Sequence, residues 1–255
     1  MLRHGRPLKR WRWVGVFCPE AMLCAGEVRV GPARQTFWAV WDRAGARLRE
    51  RTRLVAHGHV QMLDGRLRVR DGDVSIDVGF QEDGGVETIC AHGGEYVWTR
   101  KQAGLAAHGT LAFAGEPAHV LEGHAVVDDT AGYHARVTSW CWAAGVGLGA
   151  DGALLAFNLV AGVNDPPVGS ERTVWVAGSP REAPPVTFAA DLSAVSGADG
   201  AQLRFVAEAE RRRRERLLLV RSDYRQPFGT FSGTLPGGVE LAAGMGVMER
   251  HSARW

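Results

Sequence analysis

The strongest constraint on this chain is an alternation of apolar and polar residues with a period of two. The segments 36–41, 74–80 and 203–209 read TFWAVW, VSIDVGF and LRFVAEA. Successive side chains of a strand point to opposite faces, so such segments place one face in a core and the other in solvent. The pattern predicts strands of an antiparallel sheet.

Tight turns divide these strands at short intervals. Asp-Gly pairs accept the positive φ angles of hairpin turns, and they occur at 64–65, 71–72, 83–84, 151–152 and 199–200. Short strands separated by such turns are typical of barrels and sandwiches. A run of small residues at 103–120 separates a turn-rich first part from a second part with denser aromatic and Asn/Asp motifs. We therefore predict an all-β protein of two β-barrel halves packed together, residues 1–105 and 106–255.

One segment, Ala207–Arg221, also has high helix propensity, but the flanking alternation favours a hairpin with a charged turn. Within it, the basic run Arg211–Arg214 is typical of a solvated hairpin tip or helix face. Such a run could bind phosphate or nucleic acid, but nearby glutamates offset it and no nucleic-acid motif accompanies it. We expect no nucleic-acid partner.

The composition narrows the possible classes. The chain has 255 residues, 45% of them hydrophobic, and a net charge of +2, which indicates one large core or two small ones and no acidic partner. Its cysteines form no C-x-x-C pair, and we expect them to be reduced, buried thiols in the cytoplasm. They are Cys18, Cys24, Cys90 and Cys141. His57 and His59 share one strand face, but without a third ligand in view we expect no metal site.

The N-terminus resembles a signal peptide in outline, because a basic stretch precedes an apolar one. Pro19 and Glu20 interrupt that apolar run, and Trp11 and Trp13 alternate with Arg12 as in a strand. No run reaches the ~20 apolar residues of a membrane span. We expect a cytoplasmic protein without stable membrane insertion and without a dinucleotide or other cofactor, since no matching motif is present.

Several stretches carry a family resemblance. They are KRWRWVGVFCPEAMLCAGEVRVGPARQTFWAVWD at 9–42, the segment 128–175, RSDYRQPFGTFSGTLPGG at 221–238 and GVMERHSARW at 246–255. In these the chain resembles the bacterial family called domain of unknown function 2804, which brings no established reaction with it. The chain is short for that family, which predicts that an N-terminal extension is lacking.

A shorter pattern is distantly similar to a second group. Gly132-Tyr133-His134, a W-x-W strand and an Asp-Gly hairpin follow one another. This order resembles the double-lipocalin group that includes carotenoid 1,2-hydratase (hydroxyneurosporene synthase). The resemblance implies two lipocalin-like antiparallel β-barrel halves, a hydrophobic ligand between or within them, and acid groups that protonate an alkene. Related members catalyse cyclisations.

Aromatic and acid–base residues follow one another in this region. Trp140 and Trp142 share a strand face and predict either core filling or the wall of an apolar pocket. Tyr133 and His134 lie just after Asp128, and a histidine near a carboxylate is a common general acid–base arrangement. We take these last three as catalytic candidates, although Asp128 also fits a turn and Tyr133 and His134 point to opposite strand faces.

Further polar residues are candidates for substrate binding. Asn158 lies inside an apolar strand and needs hydrogen-bond partners or a ligand if it points inward. Asn164 begins an Asn-Asp-Pro-Pro run that reads first as a turn, and Glu171 and Arg172 read first as a structural ion pair. The alternative places Asn158, Asn164 and Glu171 at one end of an apolar cavity. Near the C-terminus, Tyr224, Glu249 and His251 are the remaining candidates, and a structural Glu–Arg pair is the alternative for Glu249.

These features lead to three hypotheses. The first is a cavity that binds an isoprenoid- or polyketide-like molecule and performs acid–base chemistry on it without a cofactor, as a hydratase, isomerase or cyclase. In it, Asp128 or His134 supplies the proton, the two tryptophans shield a cation, and Asn158 and Tyr133 orient water or a ligand oxygen. The second is a lipid or pigment carrier that needs the cavity but no acid. The third is a structural or interaction module without a ligand, and the oligomeric state stays open in all three.

Overall fold

The computed structural model describes residues 2–54, 58–217 and 220–254, and these form antiparallel strands without a helix. They accordingly contain no helix that is long and apolar enough to cross a membrane. A short pair, β1 (Leu2–Arg3) and β2 (Arg6–Pro7), precedes a sheet of ten strands. The ten are β3 (Lys9–Phe17), β4 (Ala21–Val30), β5 (Ala33–Asp42), β6 (Arg47–Leu54), β7 (Val60–Leu63), β8 (Arg66–Asp71), β9 (Val74–Phe80), β10 (Val86–His92), β11 (Glu95–Phe113) and β12 (His119–Gly132).

A second sheet follows with nine strands. They are β13 (Val137–Gly149), β14 (Leu154–Ala161), β15 (Thr173–Val176), β16 (Ser179–Glu182), β17 (Val186–Phe188), β18 (Ala194–Gly197), β19 (Gln202–Leu217), β20 (Val220–Leu235) and β21 (Val239–Arg254).

Both sheets have the same strand order. In the first sheet, β3 to β6 form a meander, and β3 pairs on its other side with β12, the last strand of that sheet. From β12 the order continues through β11, β9 and β8 to β7. Strand β10 also pairs with β11. The second sheet repeats this arrangement with β13 to β16, the last strand β21, and then β20 to β17. The prediction of two lipocalin-like antiparallel β-barrel halves is confirmed.

The change from the first sheet to the second falls between Gly132 and Val137. Strand β11 runs through residue 105, and the small residues around it allow a β-bulge at Gly104, whose φ is +77°. The division of the chain into domains 1–105 and 106–255 stays a prediction.

The segment predicted as helix or hairpin forms a hairpin. Strands β19 and β20 pair along their length, with Leu217 opposite Val220, and residues 218 and 219 lie outside the described part of the chain. The run Arg211–Arg214 lies within β19 and not at a turn, which corrects the expectation of a solvated tip. Because alternate side chains of a strand face inward, Arg211 is only 3% exposed.

Three apolar clusters fill the part of the chain that the structure describes. One belongs to the first sheet and contains Trp38, and one belongs to the second and contains Phe157. The third joins the two sheets and contains Trp13 from the first and Trp142 from the second. Cys18, Cys24 and Cys90 are buried free thiols, as expected, and Cys141 is half-buried.

A buried carboxylate on β8 contacts β6, the strand at the opposite end of the strand order of the first sheet, and among the described residues these two strands are not paired by backbone hydrogen bonds. Asp71 at the end of β8 accepts hydrogen bonds from Arg51 Nη1 at 3.0 Å and Arg53 Nη2 at 2.5 Å, both on β6, and from Trp38 Nε1 at 3.0 Å. The Arg53 guanidinium holds the pKa of Asp71 well below its usual range. Asp71 therefore connects β8 electrostatically to β6 across the first half of the fold.

We expect Asp71→Asn to lower the free energy of unfolding by about 2 kcal/mol, because a neutral amide replaces a buried carboxylate that serves two arginines. The matched control is Asp73→Asn, two residues away, where an exposed carboxylate pairs with Arg49 and the loss should stay below about 0.5 kcal/mol. Urea unfolding at neutral pH measures both. Equal losses in the two variants would contradict the role of Asp71.

Candidate functional site

Two tryptophan–carboxyl pairs face each other across the interface between the sheets. In the first sheet Trp13 on β3 lies opposite Asp128 on β12, and in the second Trp142 on β13 lies opposite Glu249 on β21. Directly paired residues of neighbouring strands point to the same face. The two indoles meet edge to face, with centroids 5.0 Å apart and planes at 88°. The register of each sheet thus brings one carboxyl group beside this aromatic contact.

A cavity of about 450 Å³ lies here, lined by residues of both sheets. Its apolar wall includes Trp11, Phe37 and Val160. The ring of Trp11 stacks on that of Trp140, with the ring centroids 6.3 Å apart. Eight of the eleven residues predicted for the site line it. They are Asp128, Trp140, Trp142, Asn164, Glu171, Tyr224, Glu249 and His251.

Glu249 is a buried carboxyl group surrounded by neutral hydrogen-bond donors. Trp140 Nε1 donates to its Oε1 at 2.8 Å, and Gln226 Nε2 donates to its Oε2 at 3.0 Å. Burial raises the pKa of Glu249 to about 7, against hydrogen bonds from Trp140 and Tyr224 that favour the carboxylate. A carboxyl group with this pKa gives and takes a proton at neutral pH.

Tyr224 and His251 lie beside Glu249 at the same wall. The ring of His251 packs on those of Trp140 and Tyr224, with centroids 4.4 Å and 5.2 Å apart. Its Nε2 shares a hydrogen bond of 2.8 Å with Ser222 Oγ. Burial lowers the pKa of His251 to about 4 and raises that of Tyr224 well above its usual value. At neutral pH both groups are therefore uncharged.

Arg211 extends from the second sheet to the first beside this group. Its Nε donates to Glu50 at 2.8 Å and its Nη2 donates to Thr52 at 3.1 Å. The guanidinium lies over the ring of Phe37 at 4.1 Å and that of Tyr224 at 5.1 Å. Arg211 is thus a bridge between the halves, with its charge balanced by Glu50.

A second polar group contains one lysine between two carboxylates. Lys101 Nζ lies 2.5 Å from Asp128 Oδ1 and 3.3 Å from Glu171 Oε1, and Thr130 Oγ1 donates to the same Asp128 oxygen at 3.1 Å. Burial alone lowers the pKa of Lys101, but the two carboxylates outweigh it and the pKa is raised. Burial raises the pKa of Glu171, and the charge of Lys101 offsets part of that rise.

Asn158 does not line the cavity, because its amide is used within the protein. Its Oδ1 accepts from Trp142 Nε1 at 2.7 Å, and its Nδ2 donates to the Glu171 carbonyl at 2.8 Å. Asn158 is 1% exposed. Its side chain therefore fixes the Trp142 ring and the chain at Glu171, and direct contact of Asn158 with a ligand stays a prediction.

The other residues of that segment lie in the loop between β14 and β15. Asn164 adopts φ +50°, and its carbonyl accepts from the Glu171 amide at 3.2 Å, so the Asn-Asp-Pro-Pro run lies within a loop closed by this hydrogen bond and has no hydrogen-bonded turn of its own. The ion pair expected between Glu171 and Arg172 is replaced by the contact of Glu171 with Lys101. Arg172 instead donates to the carbonyls of Pro166 at 2.7 Å and Ala183 at 3.2 Å.

Tyr133 and His134 lie away from the cavity lining. His134 is 2% exposed and packs against Trp11 at 4.8 Å and His92 at 5.6 Å. Burial, together with the charge of Lys9, lowers the pKa of His134 to about 3, and Tyr133 packs against Tyr96. Their catalytic role stays a prediction to which this placement adds no support.

The expectation of no metal site concerned a histidine pair of which His57 lies outside the described residues. Residues 2–54, 58–217 and 220–254 contain no group of three side chains suited to hold a metal ion.

Sequence reasoning missed Trp11, Trp13, Lys101, Arg211 and Gln226 as parts of this site. A signal for the first two was present: W-x-W occurs twice, at 11–13 and 140–142, on the first long strand of each sheet. Lys101 and Gln226 carried no such signal, since their roles depend on the strands beside them.

Comparison with solved structures shows the same fold. A protein from Nitrosomonas europaea provisionally named AttH has a TM-score of 0.60 at 14% identity, covering 98% of this chain and 93% of its own. Kievitone hydratase from Nectria haematococca has a TM-score of 0.60 at 11% identity, covering 98% and 89%. CghA has a TM-score of 0.57 at 10% identity, covering 98% and 88%.

No curated protein sequence matches the chain. A family profile does: that of the domain of unknown function (DUF2804) matches residues 74–255, which include most of the cavity lining. The sequence resemblance is thereby confirmed, and the chain belongs to the DUF2804 family.

Proposed function

We propose that the cavity between the two halves binds a largely apolar small molecule and that Glu249 transfers a proton to or from it. The observation that carries the proposal is a carboxyl group with a pKa of about 7 on the wall of an aromatic cavity. A perturbed carboxyl group of this kind in a cleft is typical of a general acid or base.

The lining suits reactions that pass through a cation. A proton from Glu249 can add to an alkene carbon and leave a cation at its neighbour. Attack of a water molecule on the cation and loss of a proton from that water complete a hydration, and loss of a proton from carbon completes an isomerisation or a cyclisation. Dehydration of an alcohol is the reverse of hydration, and none of these reactions requires electron transfer. Glu249 supplies the proton, and the faces of Trp140 and Trp142 stabilise positive charge by about 1–2 kcal/mol when water is excluded. Asp128, held by Lys101, is the carboxylate from the other sheet that receives a proton or steadies the cation. A hydratase among proteins of the same fold agrees with this reaction class.

A lipid or pigment carrier would use the same cavity without a titrating group. Glu249 favours the enzyme over the carrier, because an apolar side chain at that position would fill the same wall without the cost of burying a carboxyl group. Its titration and the occupancy of the cavity can be measured separately.

We expect Glu249→Gln to change how stability depends on pH. The folded-state pKa of Glu249 is about 7 against an ordinary value of 4.5. The contribution of the protonated side chain to the free energy of unfolding is therefore fully present below about pH 4.5 and is lost as the pH rises through 7. Between pH 5 and pH 8 the free energy of unfolding of the wild type should therefore fall by up to about 3 kcal/mol more than that of Glu249→Gln. Urea unfolding at several pH values measures the difference.

Glu240→Gln is the matched control, since Glu240 lies on the same strand and is exposed. Its stability should run parallel to that of the wild type across this range. If the curve of Glu249→Gln also runs parallel to the wild type, Glu249 titrates at an ordinary pKa and is not the proposed acid.

We expect the wild type to bind the polyene probe diphenylhexatriene, detected by its fluorescence increase in an apolar environment. Val28→Trp should weaken this binding at least about tenfold, because Val28 lines the cavity beside Trp11 and an indole there occupies the probe's space. Val206→Trp, at a position 51% exposed, should leave binding unchanged. A wild type that does not bind the probe, or binding that survives Val28→Trp, would count against a ligand cavity.

A further inference from the structure

Asn164 presents one unused polar atom at the cavity wall. The residue is 5% exposed and lines the cavity, and its Nδ2 donates to Glu171 Oε2 at 3.0 Å. The ammonium group of Lys101 lies 3.3 Å from the other oxygen of this carboxyl group and favours its ionised form. An ionised carboxylate only accepts hydrogen bonds, so the amide nitrogen of Asn164 faces Glu171 and Oδ1 points away from it. Its Oδ1 is buried without a hydrogen-bond partner among the described residues.

Such an atom is unusual in a folded protein. Buried amide oxygens are almost always paired, since removing them from water without a new partner is unfavourable. The left-handed φ of +50° and the main-chain hydrogen bond to Glu171 hold Asn164 in place. The hydrogen bond from Nδ2 to Glu171 restrains the side chain as well, so turning Oδ1 toward another donor would break that bond.

The neighbouring donors on this wall are already engaged. Trp142 Nε1 donates to Asn158, Trp140 Nε1 donates to Glu249, and Lys101 lies between Asp128 and Glu171. None of these contacts reaches Asn164 Oδ1. In the empty cavity a water molecule can donate to this oxygen. A ligand that displaces the water keeps the hydrogen bond only if it carries a donor itself.

Other lining residues with an unpartnered buried atom differ from Asn164. Arg12 and Arg34 each have a buried Nε without a partner, but their side chains are 18% and 28% exposed and their other nitrogens pair with carboxylates. The indole N–H of Trp13 faces the Cys24 thiol. Asn164 is thus the deeply buried lining residue of the described chain whose free atom is an acceptor.

We infer that the molecule bound in this cavity is not a plain hydrocarbon but carries a hydroxyl or N–H group that donates a hydrogen bond to Asn164 Oδ1. The inference rests on the proposed function, because it concerns the ligand of the same cavity. It narrows the substrate class to apolar alcohols, phenols and amines or amides, and it assigns Asn164 as the residue that fixes the ligand's orientation relative to Glu249.

The test compares naphthol with methoxynaphthalene substituted at the same ring position. Both keep the oxygen as an acceptor and have similar apolar surface, but only naphthol is a donor. Isothermal titration calorimetry on the wild type should show about tenfold tighter binding of naphthol, the effect of one hydrogen bond to an otherwise unpaired buried group. In Asn164→Gly, which tolerates the positive φ, the preference should fall to within about twofold.

Ala177→Gly is the matched control, because Ala177 also has positive φ (+48°) but lies exposed outside the cavity lining. It should keep the preference for naphthol. As a readout without substitution, the Asn164 side-chain amide signal of the wild type should shift in a nitrogen-proton NMR spectrum with naphthol and not with methoxynaphthalene.

Equal binding of the two probes by the wild type, an unmoved Asn164 signal, or a preference that persists in Asn164→Gly would overturn the inference while leaving the cavity and Glu249 in place. If neither probe binds the wild type, the proposed ligand cavity itself fails, and the inference fails with it.

Discussion

The contact on which the site depends is the buried ammonium group of Lys101 between two carboxylates. Lys101 and Asp128 belong to the first sheet, whereas Glu171 belongs to the chain that follows β14 in the second. A lone charge at this depth would be unfavourable by several kcal/mol. Asp128 pairs with Lys101 within the first sheet, and Glu171 adds the second carboxylate when the two halves are docked. Glu171 in turn accepts from Asn158 and Asn164, and Asn158 holds Trp142. The contact of Lys101 with Glu171 across the interface is therefore connected through Asn158 to Trp142 on the apolar wall and directly to Asn164 at the polar end.

The repeated strand order explains how the fold makes two carboxyl groups with different chemistry. Trp13 with Asp128 and Trp142 with Glu249 occupy matching places, each on the first long strand and the last strand of its sheet. The strand next to the last one supplies a partner in both halves: Lys101 on β11 for Asp128, and Gln226 on β20 for Glu249. Asp128 has the charged partner and forms an ion pair with it. Glu249 has the neutral partner, so its carboxyl group can hold a proton near pH 7.

The fold could be predicted because its signals are local. Alternation and Asp-Gly turns are each visible within a few residues, and the hairpin at Asp151 and Gly152 forms as those residues indicate. The site was harder, because proximity along a strand is not proximity in space. From Asp128 to the end of β12 at Gly132 the extended chain already spans about 13 Å, which separates His134 from the carboxylate it was paired with. Lys101 gave no signal, since a lysine in a strand is usually at the surface, and only the neighbouring strand and the second sheet bury it.

The segment 158–172 shows how buried polar groups distinguish structure from function. Its polar side chains look costly in the sequence, yet the structure supplies partners for them: Trp142 for Asn158, the Gly162 amide for Asp165, and main-chain carbonyls for Arg172. Within this fully described segment, Asn164 Oδ1 is the buried side-chain atom without a partner. If the segment were purely structural, the unpaired atom would be a defect in an otherwise complete network. Asn164 and Glu249 line the same cavity. We therefore expect a ligand in that cavity to complete the network by donating the missing hydrogen bond to Asn164 Oδ1.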